Sequence, residues 1–327
     1  MKHFGSLTKI LLTAAALAAV AGPVEARDLR GWNVHVPDYP VSLGMEKFGE
    51  LVAERTNGRF VPSTFHSAEL GNQQQAVEQM TFDGIDFAVF NGGQLGDVAP
   101  ALKVVGLPYV FRSTEHMFNV VDGEVGKRLS DELAPANMVA LAWYDAGARS
   151  FYTVEKPIKT PADVAGQKIR VPNAEIFVAT AEALGANATP MAFAEVFPSL
   201  QTGVIDGAEN NPPSVVSTRH HEVIKYYTLD EHLRVPEALV VTKTLWDSLS
   251  DEDKQIFREA AVESAELQRK LWHEREETAL EAIKAAGVEI IEVADKQPFV
   301  DAMDSAYKQL ITDPKIEVFL KDIQAVQ

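Results

Sequence analysis

The chain has 327 residues, 30 Lys and Arg against 47 Asp and Glu, a formal net charge of −17, and no cysteine. These counts exclude disulfides, thiol nucleophiles, iron–sulfur clusters and thiolate zinc sites. The acidic balance has the wrong sign for general nucleic-acid binding or for docking on anionic lipid. A hydrophobic fraction of 46% with 24% charged residues is that of a folded globular chain, long enough for two ordinary domains.

Residues 1–26 read as a secretory leader. Lys2 and Lys9 precede an apolar run from Ile10 to Ala21, and Val24-Glu25-Ala26 presents a cleavage site after Ala26. The run is about twelve residues, whereas a membrane span needs about twenty. No later stretch is long and apolar enough to span a bilayer. The expectation is an exported protein that does not insert in the membrane and is held together by its core alone.

The elements follow in order. Leu29–Val34 suits a first strand, and Met45, Phe48, Leu51 and Val52 recur at helical spacing until Asn57-Gly58. Arg59–Phe65 alternates as a strand, Leu70–Phe82 reads as a helix, and Ile85–Phe90 as a buried strand. Gly106–Tyr109 is expected to be extended, Thr114–Leu133 helical, and Met138–Tyr144 a buried strand. This β-α-β-α-β pattern predicts a parallel sheet flanked by helices.

A second unit of the same kind follows. Gln167–Val171 reads as a strand, and Glu175–Leu184 and Ala194–Thr202 as helices closed by Gly185 and Gly203. Ile205–Glu209, Lys225–Leu229 and Leu239–Val241 read as strands. A long amphipathic helix is predicted over Asp251–Ala286, with Ile256, Phe257, Ala260, Ala261, Leu267, Leu271, Leu280 and Ile283 as its buried stripe. At about 1.5 Å per residue it is longer than a small domain is wide, so it should cross two domains or bend. A late strand, Val288–Val293, and two short helices complete the chain. With no low-complexity linker, the division expected is 27–148 for the first α/β domain, 149–240 for the second, and 241–327 for C-terminal strands and helices, some returning to the first.

Signals of catalysis are poor. There is no Gly-x-Ser-x-Gly elbow, Walker loop or HExxH motif. Gly123-Glu-Val-Gly126-Lys127 lacks the spacing and hydroxyl of a phosphate loop. The neighbours His220 and His221 do not face the same way on a helix, which argues against a shared metal. His273 stands among Glu274, Glu276 and Glu277, as on a solvated helix face. The unusual features are Arg149, Arg170 and Asn210, polar residues in otherwise apolar, strand-like segments. An arginine so placed either pairs structurally, points outward, or waits for an anion, and its planar fork is suited to holding a carboxylate through two hydrogen bonds.

Four segments carry a resemblance: Ala68-Glu-Leu-Gly71, Gly106-Leu-Pro-Tyr-Val-Phe111, Gly166-Gln-Lys-Ile-Arg-Val-Pro172, and Ala186 to Asn210, which ends in Asp-Gly-Ala-Glu-Asn. Through them the chain resembles the solute-binding proteins of tripartite ATP-independent periplasmic (TRAP) transporters, over essentially its whole length after the leader. The resemblance implies an α/β, two-domain periplasmic binding protein fold with crossing strands and a long domain-spanning helix. It implies ligand-binding roles for Arg170 as carboxylate anchor, Arg149 as its assistant, Asn210, and Phe193 packing on the ligand. His35, Asp38, Gln73 and Asn91 of the first domain are expected to complete the pocket. Relatives often carry an acid where Gln73 stands, and sialic-acid binders carry one where Asn91 stands. Trp143–Tyr152 and His35–Pro40 resemble the branch that includes uronate and other sugar-acid binders.

The resulting expectation is a periplasmic, monomeric, non-enzymatic protein without cofactor or metal. It would capture a small-molecule carboxylate, first of all a hydroxylated monocarboxylate such as a uronate, for the small and large subunits of a sodium-coupled permease. Alternatives are a C4-dicarboxylate or keto acid on the same fold, a sensor ectodomain, or a secreted enzyme acting on acidic sugars.

Overall fold

The computed structural model describes residues 26–327. The expected leader lies outside them except for Ala26, and the first strand starts at the next residue.

Among the described residues, twelve strands form two sheets. The first contains β1 (Arg27–Trp32), β2 (Phe60–Phe65), β3 (Phe87–Asn91), β4 (Met138–Tyr144) and β11 (Glu237–Thr242), in the order β2-β1-β3-β11-β4. β1 pairs parallel with β2 and β3, whereas β11 pairs antiparallel with both β3 and β4. The second contains β5 (Ala148–Thr153), β6 (Lys168–Val171), β7 (Asn187–Pro190), β8 (Gly207–Asn210), β9 (Tyr226–Leu229) and β12 (Glu289–Glu292), in the order β12-β9-β5-β8-β6-β7, with β10 (Leu233–Arg234) added to β5.

The predicted parallel sheet is therefore mixed, because a late strand returns to the first sheet and runs against its neighbours. Ending the second unit at residue 240 also divided β11, which lies wholly in the first sheet. Residues 241–327 distribute over both units. β12 extends the second sheet, and the terminal helices Asp304–Leu310 and Pro314–Ala325 pack on Glu175–Ala183 and on the 3₁₀ segment Pro100–Gly106 respectively. Those C-terminal helices number three, not two, the other being Gln297–Ala302. The helix expected over 114–133 breaks at Asp122-Gly123 into Thr114–Val121 and Glu124–Asp131, and Gly106–Tyr109 is not extended: Gly106 ends the 3₁₀ segment Pro100–Gly106, and a bend and turn follow through Tyr109, whose φ is +59°.

Two short chain crossings join the sheets: Asp145–Gly147 between β4 and β5, and Val235–Pro236 between β10 and β11. Gly147 needs its missing side chain. Its φ is +60°, and a Cβ there would lie 2.5 Å from Glu276 Oε1 and 2.9 Å from Trp272 Nε1.

The long helix spans Asp251–Ala285, 35 residues, capped by Ser250, whose side chain accepts from Asp253 N. It packs on helix Pro40–Arg55 and β4 of the first unit and on Pro212–Ser217 of the second. Its buried line runs through Phe257, Ala260, Ala261, Ser264, Ala265, Gln268 and Trp272, while Ile256, Leu267, Leu271 and Leu280 are only partly buried. Two polar members of that line have partners at the end of β4 and the start of the first crossing. Ser264 Oγ is 2.8 Å from Tyr144 Oη, and Gln268 brackets Asp145 by accepting from its N–H and donating to its carbonyl, both at 2.8 Å. The helix thus holds the crossing strand through hydrogen bonds rather than through leucine packing.

Candidate functional site

Between the two sheets lies a cavity of about 560 Å³, within the range of small-molecule sites. It opens where several parallel strands end, since Asn91 and Asn210 are the last residues of β3 and β8, the usual ligand position in α/β sheets. Seven of the eight residues expected at the site line it: His35, Gln73, Asn91, Arg149, Arg170, Phe193 and Asn210. Asp38 does not. It sits in the turn before helix Pro40–Arg55, with its side chain 77% exposed and 3.6 Å from Arg275 of the long helix. The turn that aims His35 inward aims Asp38 outward.

Arg149 and Arg170 differ in partnership. Arg149 Nε and Nη2 donate to Glu209 Oε2 and Oε1 at 2.6 and 2.8 Å, Nη2 also donates to the Glu209 carbonyl, and Nη1 donates to Asn210 Oδ1 at 2.9 Å. Behind Glu209, His232 Nε2 lies 3.4 Å from Oε2, and His232 Nδ1 lies 2.6 Å from Asp230 Oδ2. Burial opposes the ionised form of Glu209, but the Arg149 charge and the His232 contact outweigh it and hold the carboxyl at about 2. Burial likewise opposes protonation of His232, and Asp230 with Glu209 overcomes it, raising the imidazole to about 9. Arg149, Glu209, His232 and Asp230 form a buried row of alternating charge that sums to zero.

Among the described residues, Arg170 has no carboxylate as a hydrogen-bond or ion-pair partner. It is 3% exposed, and its Nε and Nη2 donate only to the Met191 carbonyl, at 3.1 and 2.8 Å. Its guanidinium lies 5.7 Å from the centroid of the Phe193 ring. Burial without a carboxylate partner lowers it to about 10, so it stays charged at neutral pH.

The other walls are polar and largely neutral. Asn210 Oδ1 accepts from Arg149 and from Asn211 N, which fixes the amide and turns its NH₂ group away from them. Asn91 Oδ1 accepts from Gly93 N at 3.1 Å, leaving its own NH₂ as the donor side. Gln73 opens helix Gln73–Thr81 and donates to Gln94, another lining residue. The His35 ring stacks on Tyr39 at 3.9 Å and meets the edge of Phe193 across the cleft at 6.1 Å. Burial first, and Arg149 second, lower His35 to about 3, so its imidazole is neutral.

Sequence reasoning passed over three lining or supporting residues. Glu209 stood inside the quoted Asp-Gly-Ala-Glu-Asn run without a role. His220, weighed only as a metal ligand, is a buried wall residue whose Nδ1 is 2.8 Å from Tyr152 Oη. Glu237 gave one signal, a lone acid opening an apolar strand.

A two-lobed fold with strand crossings at its waist and a polar interlobe cavity defines the class of extracytoplasmic binding proteins. The family described as bacterial extracellular solute-binding protein, family 7, matches residues 33–313. The chain therefore belongs to that family, the TRAP solute-binding proteins. A solute-binding protein of Chromohalobacter salexigens is 45% identical over 310 residues, 94% of this chain and 92% of that protein. A TRAP periplasmic solute-binding protein from Sulfitobacter sp. NAS-14.1, solved with bound β-D-galacturonate, is 49% identical with a TM-score of 0.88, covering 90% of this chain and 98% of that one. Another from Roseobacter denitrificans, solved with bound β-D-glucuronate, is 47% identical with a TM-score of 0.90, covering 92% of this chain and 100% of that one.

Proposed function

We propose that this protein captures a hexuronate in the periplasm and delivers it to a TRAP membrane permease. The observation that carries the ligand class is Arg170, a buried cation whose only hydrogen bonds among the described residues go to a backbone carbonyl. Such a charge is costly to leave unpaired, and a ligand carboxylate meeting its fork supplies the missing anion. Asn210, Asn91, Gln73 and neutral His35 offer the donors and acceptors a polyhydroxylated ring needs, and Phe193 offers an apolar face. Closing the lobes over the ligand removes water and strengthens each of these bonds. The glucuronate and galacturonate bound in related structures support this reading. A binding protein of this kind releases its ligand unchanged.

A thermal-shift series followed by calorimetric titration tests it. At a hundred times its Kd, glucuronate or galacturonate should add about 2.7 kcal/mol of stability. Stabilisation by C4-dicarboxylates or apolar acids, with no effect of either uronate, would refute the ligand assignment.

A further inference from the structure

We propose that Glu237 is the charge-selecting residue of the cavity, accepting a hydrogen bond from a ligand hydroxyl and opposing a second ligand carboxylate. The inference rests on the uronate reading and extends it to why a monoacid is preferred.

Glu237 opens β11 and stands directly opposite Asn91 in the antiparallel ladder with β3. Directly opposed residues share one face of a sheet, and both line the cavity. Glu237 is 9% exposed and has no hydrogen-bond or ion-pair partner for its carboxyl among the described residues. The nearby cation, Arg149, already binds Glu209 through both carboxylate oxygens. The cavity thus carries a cation without a carboxylate on the second sheet, at Arg170, and an acid without a donor on the first, at Glu237. A ligand whose carboxylate sits on Arg170 presents its far end to the wall that Asn91 and Glu237 share. A hydroxyl there can donate to Glu237. A carboxylate there meets like charge with no cation to spare.

The groups facing Glu237 are Arg149 of β5, Asp145 of the first crossing and Tyr39 of the turn before helix Pro40–Arg55. Burial raises the Glu237 carboxyl to about 7, Arg149 opposing and Asp145 adding to the rise. Selection should therefore depend on pH. A hydroxyl donor favours the ionised form, so uronate binding releases a proton and tightens as pH rises. A second carboxylate favours the protonated form, so binding of the corresponding diacid takes up a proton and weakens by up to about tenfold per pH unit above 7.

The test is titration of D-glucuronate and D-glucarate into wild type and Glu237→Gln at pH 6 and pH 8. Wild type should show opposite pH slopes for the two ligands. Glu237→Gln should lose about tenfold or more in glucuronate affinity and lose both slopes, so its preference over glucarate no longer changes with pH. The open-chain shape of glucarate is common to both proteins and cancels in the comparison. Glu237→Asp, which withdraws the carboxylate by one carbon, should lose affinity yet keep the slopes. Unchanged slopes in Glu237→Gln, with glucuronate bound normally, would overturn the role of Glu237 alone. Failure of wild type to bind glucuronate or galacturonate at either pH would overturn the functional reading and this inference with it.

Discussion

Arg149 and Arg170 line one cavity in opposite electrostatic circumstances. Arg149 closes a buried, charge-balanced row with Glu209, His232 and Asp230, and it also orients Asn210 by donating to Oδ1. Arg170, one strand beyond β8, meets only the Met191 carbonyl. The first is a structural cation that positions a neighbouring amide. The second is an unsatisfied one. This division makes the two residues separable by experiment.

Arg170→Ala should abolish a charge-assisted, two-pronged contact with the ligand. Truncating one partner of such a pair costs about 2–5 kcal/mol, on the order of thirtyfold to several-thousandfold in Kd. The ligand-free melting temperature should hold or rise, because the variant no longer buries a cation without a carboxylate partner. Arg170→Lys keeps the charge without the planar fork and should also bind more weakly. Calorimetry with ligand-free melting curves checks both. Near wild-type affinity in Arg170→Ala would remove it as the anchor.

Glu209→Gln should behave differently. It strands Arg149 beside His232 with one negative charge gone, and breaking a buried pair by removing one partner costs about 3–5 kcal/mol. The ligand-free protein should melt well below wild type even without ligand. Melting curves of Glu209→Gln and Arg170→Ala side by side decide this, and equal apo stabilities would contradict the separation of roles.

Much of this was legible in the residues, for physical reasons. Strands such as Phe87–Asn91 and Met138–Tyr144 are short, almost continuous apolar runs, and the long helix shows both cap and periodicity. Two kinds of feature escaped. Long-range pairing leaves no local trace, so although C-terminal segments are expected to return to the first unit, the insertion of β11 antiparallel between β3 and β4 could not be read from its neighbours. Polar residues that serve the core also look like surface. Ser264 and Gln268 lie in the buried line of the long helix because Tyr144 and Asp145 give them partners 120 and 123 residues away. At the cavity, arginines in apolar strands stood out, but which of the two was already neutralised depended on Glu209, whose place beside Arg149 follows only from the antiparallel pairing of β5 with β8.

Asp38→Ala should bind ligand as wild type does. Its carboxylate lies on the surface against Arg275, and an exposed ion pair of this kind contributes about 0–1 kcal/mol to stability. Gly147→Ala should be destabilising instead, since it combines a positive φ with close contacts to Glu276 and Trp272. Titration and melting of the two variants check the contrast, and a loss of affinity above about tenfold in Asp38→Ala would return Asp38 to the binding site.

The ligand-free protein should show two opposed pH dependences in its cavity wall. His35, depressed by burial to about 3, titrates near its ordinary value of about 6.5 when unfolded. Its folded value is lower, so the associated stability is present above pH 6.5 and is lost as pH falls toward 3. Glu237 runs the other way. Burial raises it to about 7 from an ordinary value of about 4.3, so its stability is present below about 4.3 and is lost as pH rises through 7. Each shift is worth at most about 1.36 kcal/mol per pH unit inside its window. The two effects oppose one another between about 4.3 and 6.5, and wild type alone would hide them. Difference curves separate them. The melting temperature of His35→Gln minus that of wild type should climb as pH is lowered from 6.5 to 4. The same difference for Glu237→Gln should climb as pH is raised from 4.5 to 7 and then level off. Parallel, pH-independent differences for both variants would mean that neither group changes its proton affinity on folding, and the electrostatic account of this wall would have to be abandoned.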